Sequence, residues 1–526
     1  MLFNSYVFLG AFLPLALAGF FAAGRVSTRA AGVFLLVASL VFYGWWNPAC
    51  LLLLGGSIAG NYSVGRAIGA CAGRPRLQGW VLAAGIGANL ALLIRYKYLA
   101  TLLGALHAAF APLSVAVPVL PAIALPLGIS FFTFTQIGYL IDRRAGLAGE
   151  GGPLSYALFV TFFPHLIAGP ILSNREMIPQ FAAAATYRPN GANLVAGAAI
   201  FVIGLLKKCL LADPLSPIAH AGFAAPASLS AFAAWHAALA YSLQLYFDFS
   251  GYSDMAIGLA RLFNLRFPLN FNAPYRAQNV IDYWQRWHMT LTRWLTLYLF
   301  NPIALAAVRR RAARGLPPER PGQVSLGGFA ETLLAPLSIT IVLAGIWHGS
   351  GLQFLLFGLW HTLLLSLNHA WRCFAPGRRA GARPSQRPGV IAGRIVLTYL
   401  SVLVGAVLFR APSARAAFTM LAAMGGAHGL GSVPLPAAFL PGFGPFTAAP
   451  AIAAGQAAAG WLWLAGLYGL VFLAPTTQAI MGERGVAGRL RLRFRPSLGW
   501  ALAGGAAAMI GLLSVGGTSE FLYFQF

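Results

Sequence analysis

Long apolar runs, separated by short polar segments, make up most of this chain of 526 residues. A run of about 20 apolar residues is long enough to cross the hydrocarbon core of a bilayer as an α-helix. Candidate spans, several of them short or interrupted by glycine and proline, lie at roughly 2–23, 31–47, 49–65, 80–94, 98–112, 114–130, 154–173, 192–211, 230–247, 332–347, 352–369, 390–409, 457–474 and 498–515. The pattern predicts an all-α polytopic membrane protein with roughly 11–14 transmembrane or re-entrant helices.

The composition agrees with this prediction and excludes a water-soluble enzyme. Apolar residues make up 59% of the chain and charged residues only 9%, whereas soluble domains carry about 25% charged residues. No internal repeat or appended soluble segment stands out, so we expect one integral-membrane domain over 1–526. The four cysteines have no paired spacing, which predicts free thiols, no disulfide framework and no metal site.

The charged residues are mostly basic: 36 are lysine or arginine and 11 are acidic, giving a net charge of +25. The arginines cluster between apolar runs, which is typical of cytoplasmic loops and argues against a nucleic-acid-binding surface. The clusters lie at 25–29, 66–76, 309–320, 372–394 and 484–495. Placing them in the cytoplasm predicts that the N-terminus and the C-terminal tail (517–526) are external.

Polar residues within the apolar background concentrate in three segments. These are 126–142 with 162–170, 243–254 with 284–290, and 345–351 with 358–361. Ionisable groups near membrane depth are candidates for function, because their burial is costly unless they line a cavity or pair internally. The second segment is the densest, and in it Asp282 and Arg286 stand four residues apart, on one face of a helix if that stretch is helical.

The third segment carries His348 between two apolar stretches, beside Gly349 and Gly351. A neutral imidazole accepts a proton from a hydroxyl and later returns it, so His348 is a candidate general base against a thioester. The structural alternative is that an intramembrane histidine packs helices together. The structural role is preferred for His361 and His165. For His348 the structural and the catalytic roles have about equal weight.

The motifs that carry these residues resemble, in order, those of the membrane-bound O-acyltransferase family, and within it the branch of bacterial alginate O-acetyltransferases. They are Met1-Leu-Phe-Asn-Ser-Tyr-Val-Phe-Leu9, Pro126-Leu-Gly-Ile-Ser-Phe-Phe-Thr-Phe134, Phe162-Phe-Pro-His-Leu-Ile-Ala-Gly-Pro-Ile171, Tyr246-Phe-Asp-Phe-Ser-Gly-Tyr-Ser-Asp-Met-Ala-Ile-Gly258, Arg266-Phe-Pro-Leu-Asn-Phe-Asn-Ala-Pro-Tyr275, Trp284-Gln-Arg-Trp-His-Met-Thr-Leu291, Ile346-Trp-His-Gly349 and Phe521-Leu-Tyr-Phe-Gln-Phe526. The resemblance covers the whole chain and is weakest over 370–500.

The resemblance implies helices around a central funnel and transfer of an acetyl group from cytoplasmic acetyl-CoA for O-acetylation of an exported polysaccharide. It identifies His348 with the essential histidine of the family and His288 with the second characteristic one. It also implies a periplasmic or extracellular partner of the SGNH-hydrolase type and a location in the bacterial inner membrane. No bound cofactor is expected, because acetyl-CoA is a substrate.

The chain departs from that family pattern at two places. The run Trp294-Leu-Thr-Leu-Tyr-Leu-Phe-Asn-Pro-Ile303 lacks an expected Arg–Asp pair, and His165 stands where glutamine is expected. These departures affect the acceptor more than the reaction class. Alginate, cellulose, another exopolysaccharide and peptidoglycan all remain open as acceptors, and a transporter or flippase of an activated precursor is the alternative from another functional class.

The remaining site predictions concern the donor and the tail. Arg286, Arg293 or the cluster Arg309–Arg311 are candidates for the phosphates of acetyl-CoA, and Trp287 and Trp347 for the walls around the donor. His288 would polarise the thioester or position a substrate group. The phenol of Tyr523 is a candidate first acceptor that relays the acetyl group to the partner.

Overall fold

The structure is a computed structural model that describes residues 1–110, 125–149, 151–319, 324–374, 387–431, 454–483, 492–516 and 522. Throughout these ranges the regular structure is helical and no strand is present, which confirms the all-α class. The chain folds into two compact units. The first consists of Met1–Leu206, Gly251–Leu269 and Ala501–Gly516, and the second of Lys207–Ser250, Asn270–Trp500 and Gly517–Phe526.

The first unit is built from helices of uneven length around an aromatic core. Its helices are Leu13–Val26, Thr28–Gly44, Ala49–Ala70, Pro75–Leu93, Leu99–Phe110, Ile129–Arg144, Pro153–Thr161, Phe163–Leu166, Asn174–Ala182, Gly191–Leu206 and most of Leu498–Leu513. The rings of Phe3, Phe8 and Phe42 lie 5.2 to 5.9 Å apart in this core. Aromatic pairs at such distances stabilise the packing beyond the effect of burial alone.

The first polar segment pairs internally within this unit. Asp142 is buried and accepts two hydrogen bonds from Arg175, at 3.1 and 3.2 Å. His165 is also buried, and its Nε2 lies 2.8 Å from the carbonyl oxygen of Phe159. These contacts agree with the structural interpretation of this segment, because a buried polar group that is hydrogen-bonded inside one unit needs no ligand.

Two predicted boundaries differ from the observed helices. The predicted spans 80–94 and 98–112 form one continuous helix, Pro75–Phe110, which passes through a π-helical segment at Ile94–Tyr98. Arg95 and Lys97 interrupt the apolar pattern there without breaking the backbone, since neither residue disturbs helical hydrogen bonding. The predicted span 114–130 lies mostly outside the described residues.

The predicted span 154–173 is instead two short buried helices, Pro153–Thr161 and Phe163–Leu166. Phe162 between them leaves the helical conformation, with ψ 110°. Pro164 lies in the first turn of the second helix, where a proline is tolerated although it lacks the N–H that a continuing helix needs.

The second unit contains the polar segments that carry His288 and His348. Its longer helices are Ala231–Leu262, which the first unit shares, Asn301–Ala313, Ala335–His348, Leu352–Phe374, Pro388–Arg410 and Ala454–Leu473, with shorter ones at Ser216–Ala224, Val280–Trp284, Met289–Leu295, Leu326–Phe329, Ala414–Met424 and Thr477–Ile480. In the described part of the chain, helices long and apolar enough to cross a membrane are Phe8–Val26, Pro75–Phe110, Gly191–Ala224, Met289–Ala313, Leu326–His348 and Pro388–Arg410.

Candidate active site

A cavity inside the second unit is walled by histidine and aromatic side chains. It is lined by Ser242, Leu245, Tyr275, Tyr283, Trp284, Trp287, His288, Leu291, His348, Phe357, His361, Tyr399, Val402, Leu403, Ala406 and Phe409. His288 and His348, 60 residues apart in the sequence, therefore face one enclosed space. A small apolar cavity with a few convergent polar groups is the usual form of a catalytic site.

His348 is the last residue of the helix Ala335–His348, and its side chain is 6% exposed. The chain leaves the helix at Gly349, where a Cβ would lie 2.2 Å from the ring of Phe354. Glycine at this position therefore allows Phe354 to approach the backbone directly after His348. The imidazole contacts the rings of Trp347 and Phe409, with centroids 4.7 and 4.9 Å away.

His288 lies between two short helices in a left-handed backbone conformation, with φ 43° and ψ 54°. Two backbone hydrogen bonds hold this turn: Met289 N–H donates to the Asn270 carbonyl, and Asn272 N–H donates to the Arg286 carbonyl, both at 2.9 Å. Left-handed residues other than glycine cluster at functional sites, where the surrounding structure holds the strained conformation in place. Here the segment 270–272 supplies that support.

The protonation of His288 follows from its partner Asn270. The backbone N–H of Thr290 donates to Asn270 Oδ1 at 3.3 Å, which fixes that atom as the amide oxygen. Because an amide oxygen only accepts, His288 Nδ1 donates to it at 3.0 Å. His288 precedes the span that begins at Met289, and burial lowers the pKa of its imidazole to about 3. The ring is therefore neutral, with its acceptor nitrogen at Nε2.

Hydroxyl groups and stacked rings form the rest of the wall. Tyr275 donates to the Ser242 carbonyl at 2.6 Å, and the Ser242 hydroxyl lies 2.7 Å from the hydroxyl of Tyr399. Trp287 lies nearly parallel to Tyr275 and Tyr283, at centroid distances of 6.3 and 5.8 Å. This packing makes Trp287 a rigid part of the cavity wall.

His361, for which a structural role is the sequence-based preference, also lines the cavity. Its side chain is 2% exposed, and Trp284 Nε1–H donates to its Nδ1 at 3.3 Å. Sequence reasoning also passed over the helix Pro388–Arg410, which contributes five lining residues from the region of weakest family resemblance. The signal that was available for His361 is its place in the third polar segment, at 358–361.

The candidate donor-binding residues lie outside the cavity lining, except for Trp287. Arg286 donates to Asp282 Oδ1 at 2.6 Å. The two residues do not share a helix, because Val280–Trp284 ends before Arg286. Trp347 is buried against His348. Arg293 lies half-buried in the last turn of Met289–Leu295. Tyr523 lies outside the described residues.

The arginine cluster 309–311 divides into exposed and buried members. Arg309 and Arg310 are exposed, whereas Arg311 is buried and donates to Glu319 Oε1 at 2.7 Å. Ser325 donates to the Glu319 carboxylate through its hydroxyl and its backbone N–H, and these hydrogen bonds lower the pKa of Glu319. The charge of Arg311 is thus matched within the loop, and the other two arginines are the ones available to solvent.

Asp248, in the densest polar segment, belongs to a buried ion cluster. Lys208 Nζ lies 2.7 Å from Asp248 Oδ1 and 2.6 Å from Asp213 Oδ1. Asp248 Oδ2 accepts a hydrogen bond from the backbone N–H of Leu522 at 3.0 Å. Of the arrangements expected for this segment, internal pairing is the one that Asp248 adopts. Within the described ranges, no group of three or more potential ligands is arranged to hold a metal ion.

Comparison with known proteins identifies one family model and several similar proteins. The model of the membrane-bound O-acyltransferase family matches residues 123–315. A protein of Pseudomonas aeruginosa named Probable alginate O-acetylase AlgI is 36% identical over 430 residues, which cover 81% of this chain and 75% of that protein. The Peptidoglycan O-acetyltransferase of Helicobacter pylori is 35% identical over 463 residues, covering 82% and 81%. A Teichoic acid D-alanyltransferase of Bacillus subtilis is 28% identical over 54% of this chain and 68% of its own.

Proposed function

The chain belongs to the membrane-bound O-acyltransferase family, and on that premise we propose that it moves an acetyl group from cytoplasmic acetyl-CoA across the membrane for O-acetylation of an exported polysaccharide. The protein is a multi-pass membrane acyltransferase. The donor, the acceptor and the roles of the site residues are the proposed part. The observation that carries the proposal is the convergence of His288 and His348 on one cavity.

His348 acts as the general base in this reaction. Its imidazole takes the proton of an acceptor hydroxyl while the hydroxyl oxygen attacks the thioester carbonyl carbon. The new C–O bond forms, the C–S bond breaks, and the CoA thiolate leaves with the proton that His348 returns. The products are the acetyl ester and CoA thiol, so no metal, oxidant or covalent serine enters the balance.

His288 positions a substrate group. Because Asn270 holds the proton of His288 on Nδ1, its Nε2 is suited to accept a hydrogen bond and not to donate one. Of the two roles expected for His288, positioning a hydroxyl therefore fits better than polarising the thioester carbonyl. The hydroxyl that Nε2 holds is a group other than the attacking hydroxyl, whose proton goes to His348.

The donor is recognised through its phosphates by exposed arginines. Arg309 and Arg310 are the exposed candidates, whereas Arg286 and Arg311 have carboxylate partners. Guanidinium groups suit phosphate binding through their fixed fork of donors. Trp287 forms the wall beside the thioester, and Trp347 orients His348 through ring contact.

Tyr523 is the proposed relay between the membrane site and a partner outside. The preceding residue, Leu522, is held by Asp248, and Leu245, three residues before Asp248 on the same helix, lines the cavity. Residues three apart share a helix face, so this contact supports the proposal by bringing Leu522 to the helix that carries Leu245. The acceptor of the relayed acetyl group is a periplasmic or extracellular protein of the SGNH-hydrolase type, with the enzyme in the inner membrane and both termini external.

Peptidoglycan is the second candidate acceptor, favoured by the similarity to the Helicobacter pylori Peptidoglycan O-acetyltransferase. Transport of an activated precursor is the alternative from another class. A transporter would leave acetyl-CoA intact, whereas an acyltransferase releases free thiol from it. This difference distinguishes the two before the acceptor is known.

The test uses labelled acetyl-CoA with the purified protein, comparing wild type with His348→Ala and Tyr523→Phe. We expect thiol release and retained label on wild type, loss of both in His348→Ala, and loss of the label in Tyr523→Phe. If Tyr523→Phe still releases thiol and wild type retains no label, Tyr523 is not a relay, but the protein is still an acyltransferase. Normal acetylation by folded His348→Ala would overturn the mechanism.

A further inference from the structure

Three hydroxyl groups meet at the wall of the cavity. The hydroxyls of Tyr399 and Tyr468 lie 2.7 and 2.8 Å from the Ser242 hydroxyl, and they also contact each other. The Ser242 and Tyr468 hydroxyls each lie 3.0 Å from the carbonyl oxygen of Leu239, to which each can donate. Within the described residues, Tyr399 reaches no acceptor beyond the other two hydroxyls. We call Ser242, Tyr399 and Tyr468 the hydroxyl cluster.

Tyr399 is the member of the hydroxyl cluster that is best placed to donate to a ligand. A hydroxyl has one proton to donate and two lone pairs that accept. If Tyr399 donates to a ligand, the other two hydroxyls keep the Leu239 carbonyl as their acceptor, so no buried donor loses its partner. Tyr399 and Ser242 line the cavity, whereas Tyr468 is not among the lining residues.

Neighbouring rings hold Tyr399 in place. Tyr275 meets its ring edge-on at 5.1 Å and 74°, and Tyr468 does so at 5.7 Å and 78°. The side chain is only 8% exposed. Because the surroundings are mostly apolar, a hydrogen bond from this hydroxyl to a ligand is stronger than it would be in water.

Tyr399 and His348 lie at different levels of the cavity. Phe409, whose ring packs on His348 at 4.9 Å, follows Tyr399 by ten residues on the helix Pro388–Arg410. Ten residues of α-helix rise about 15 Å. On this helix, the lining residues between the two levels are apolar: Val402, Leu403 and Ala406.

An acyl donor of the acetyl-CoA type matches this spacing. The outer amide carbonyl of its pantetheine arm lies about nine bonds, or roughly 10 Å in an extended chain, from the thioester carbonyl carbon. The acceptor hydroxyl, between His348 and that carbon, accounts for the rest of the distance. Tyr399 is also the nearer of the two levels to Pro388, the helix end beside the arginine cluster at 372–394 that is assigned to the cytoplasm, from which the donor enters.

We propose that Tyr399 binds the acyl donor by donating a hydrogen bond from its hydroxyl to the outer amide carbonyl of the pantetheine arm. This inference rests on the proposed acyl transfer, and it adds the residue by which the cavity selects a long donor over a shorter thioester. No bond of the arm forms or breaks at Tyr399, so this residue acts on donor binding and leaves the chemical step to His348.

The test compares acetyl-pantetheine with S-acetyl-N-acetylcysteamine, a shorter thioester that keeps the inner amide and lacks the outer one. We expect Tyr399→Phe to raise KM for acetyl-pantetheine roughly threefold to tenfold with little change in kcat, as for loss of one neutral hydrogen bond. KM for the shorter thioester stays unchanged in this variant. Wild type prefers acetyl-pantetheine over the shorter thioester, and Tyr399→Phe loses part of that preference.

Tyr468→Phe is the matched control, because it removes a hydroxyl of the same cluster from outside the cavity lining. We expect it to leave both KM values unchanged and to lower the unfolding temperature in detergent about as much as Tyr399→Phe does. Equal KM effects in the two variants would overturn the proposal and make the hydroxyl cluster purely structural. An equal effect of Tyr399→Phe on both thioesters would also overturn it.

Binding of pantetheine, which has a free thiol and no acyl group to transfer, tests the proposal independently of catalysis. We expect wild type to bind pantetheine more tightly than Tyr399→Phe by the same factor, measured by isothermal titration calorimetry in detergent. If that difference is found and wild type releases no thiol from acetyl-pantetheine or acetyl-CoA, the proposed acetyl transfer fails and the Tyr399 contact stands. Equal affinities, or no binding to either protein, would overturn this inference and leave the proposed function in place.

Discussion

His288 shows how strongly one neighbour determines the chemistry of a residue. Its left-handed backbone conformation, φ 43°, costs about 1–3 kcal/mol, and the contacts around it must offset that cost. Asn270 contributes twice, since its carbonyl accepts from Met289 N–H and its side-chain oxygen accepts from His288. The position of the proton in the site thus depends on an amide 18 residues earlier in the chain.

Replacing Asn270 with alanine should therefore impair catalysis more than it impairs folding. We expect Asn270→Ala to lower thiol release more than tenfold and to destabilise the protein by about 1–3 kcal/mol, because it leaves the Thr290 N–H without its acceptor. Thr290→Val is the matched control: it removes one donor to the same oxygen and leaves the His288 bond. Equal kinetic losses in the two variants would contradict this role of Asn270.

At the level of secondary-structure elements, the buried cluster of Lys208, Asp213 and Asp248 joins two helical segments and the tail. Lys208 lies in the π-helical segment Lys207–Ala212, and Asp248 lies in the helix Ala231–Leu262. A π-turn shifts side chains relative to a regular helix and often marks a functional position. Here the two carboxylates balance the charge of Lys208, which is only 2% exposed.

Removing the charge of Lys208 should be more damaging than removing that of Asp248. Lys208→Met leaves Asp248 buried without a cation, which costs about 3–5 kcal/mol. Asp248→Asn leaves Lys208 its second partner Asp213 and keeps an oxygen for the Leu522 N–H. We expect a large fall in unfolding temperature for the first variant, a small one for the second, and partial recovery in the double variant. Equal falls in the single variants would show that the cluster is not electrostatically coupled in this way.

For the whole molecule, the arginine clusters predict orientation as well as donor binding. Arg309 and Arg310 are exposed in a cluster assigned to the cytoplasm, and Arg415 is exposed in the segment after Pro388–Arg410, which the same assignment makes external. Binding of the donor phosphates should therefore weaken when Arg309 and Arg310 are replaced and stay unchanged when Arg415 is replaced.

We expect Arg309→Ala/Arg310→Ala to raise KM for acetyl-CoA roughly threefold to tenfold with little change in kcat, since exposed ion pairs contribute about 0.2–1 kcal/mol each. Added salt should reduce the difference from wild type, because it screens exposed charges. Arg415→Ala serves as the control, and steady-state kinetics with purified protein give both constants. A KM effect of Arg415→Ala equal to that of the double variant would contradict the assignment of sides.

The sequence by itself determined the helical class, most helix positions and the family. Hydrophobicity and helix-breaking residues act over a few neighbouring positions, so they can be read locally: the predicted span 332–347 corresponds to the helix Ala335–His348. Motif order predicted His288 and His348 as site residues, and their roles stay predictions. The single helix Pro75–Phe110 shows the limit, because two charged residues interrupt the apolar pattern without interrupting hydrogen bonding.

Only the tertiary structure decided which polar groups share a space and how they are paired. His361 joins the cavity because Gly405 lets it approach another helix, Asp248 meets Lys208 and Leu522, and Arg311 is matched by Glu319. His288 and His361 hydrogen-bond to Asn270 and Trp284, which lie 18 and 77 residues away along the chain. Such pairings depend on how distant segments pack, and local sequence carries no direct record of that packing.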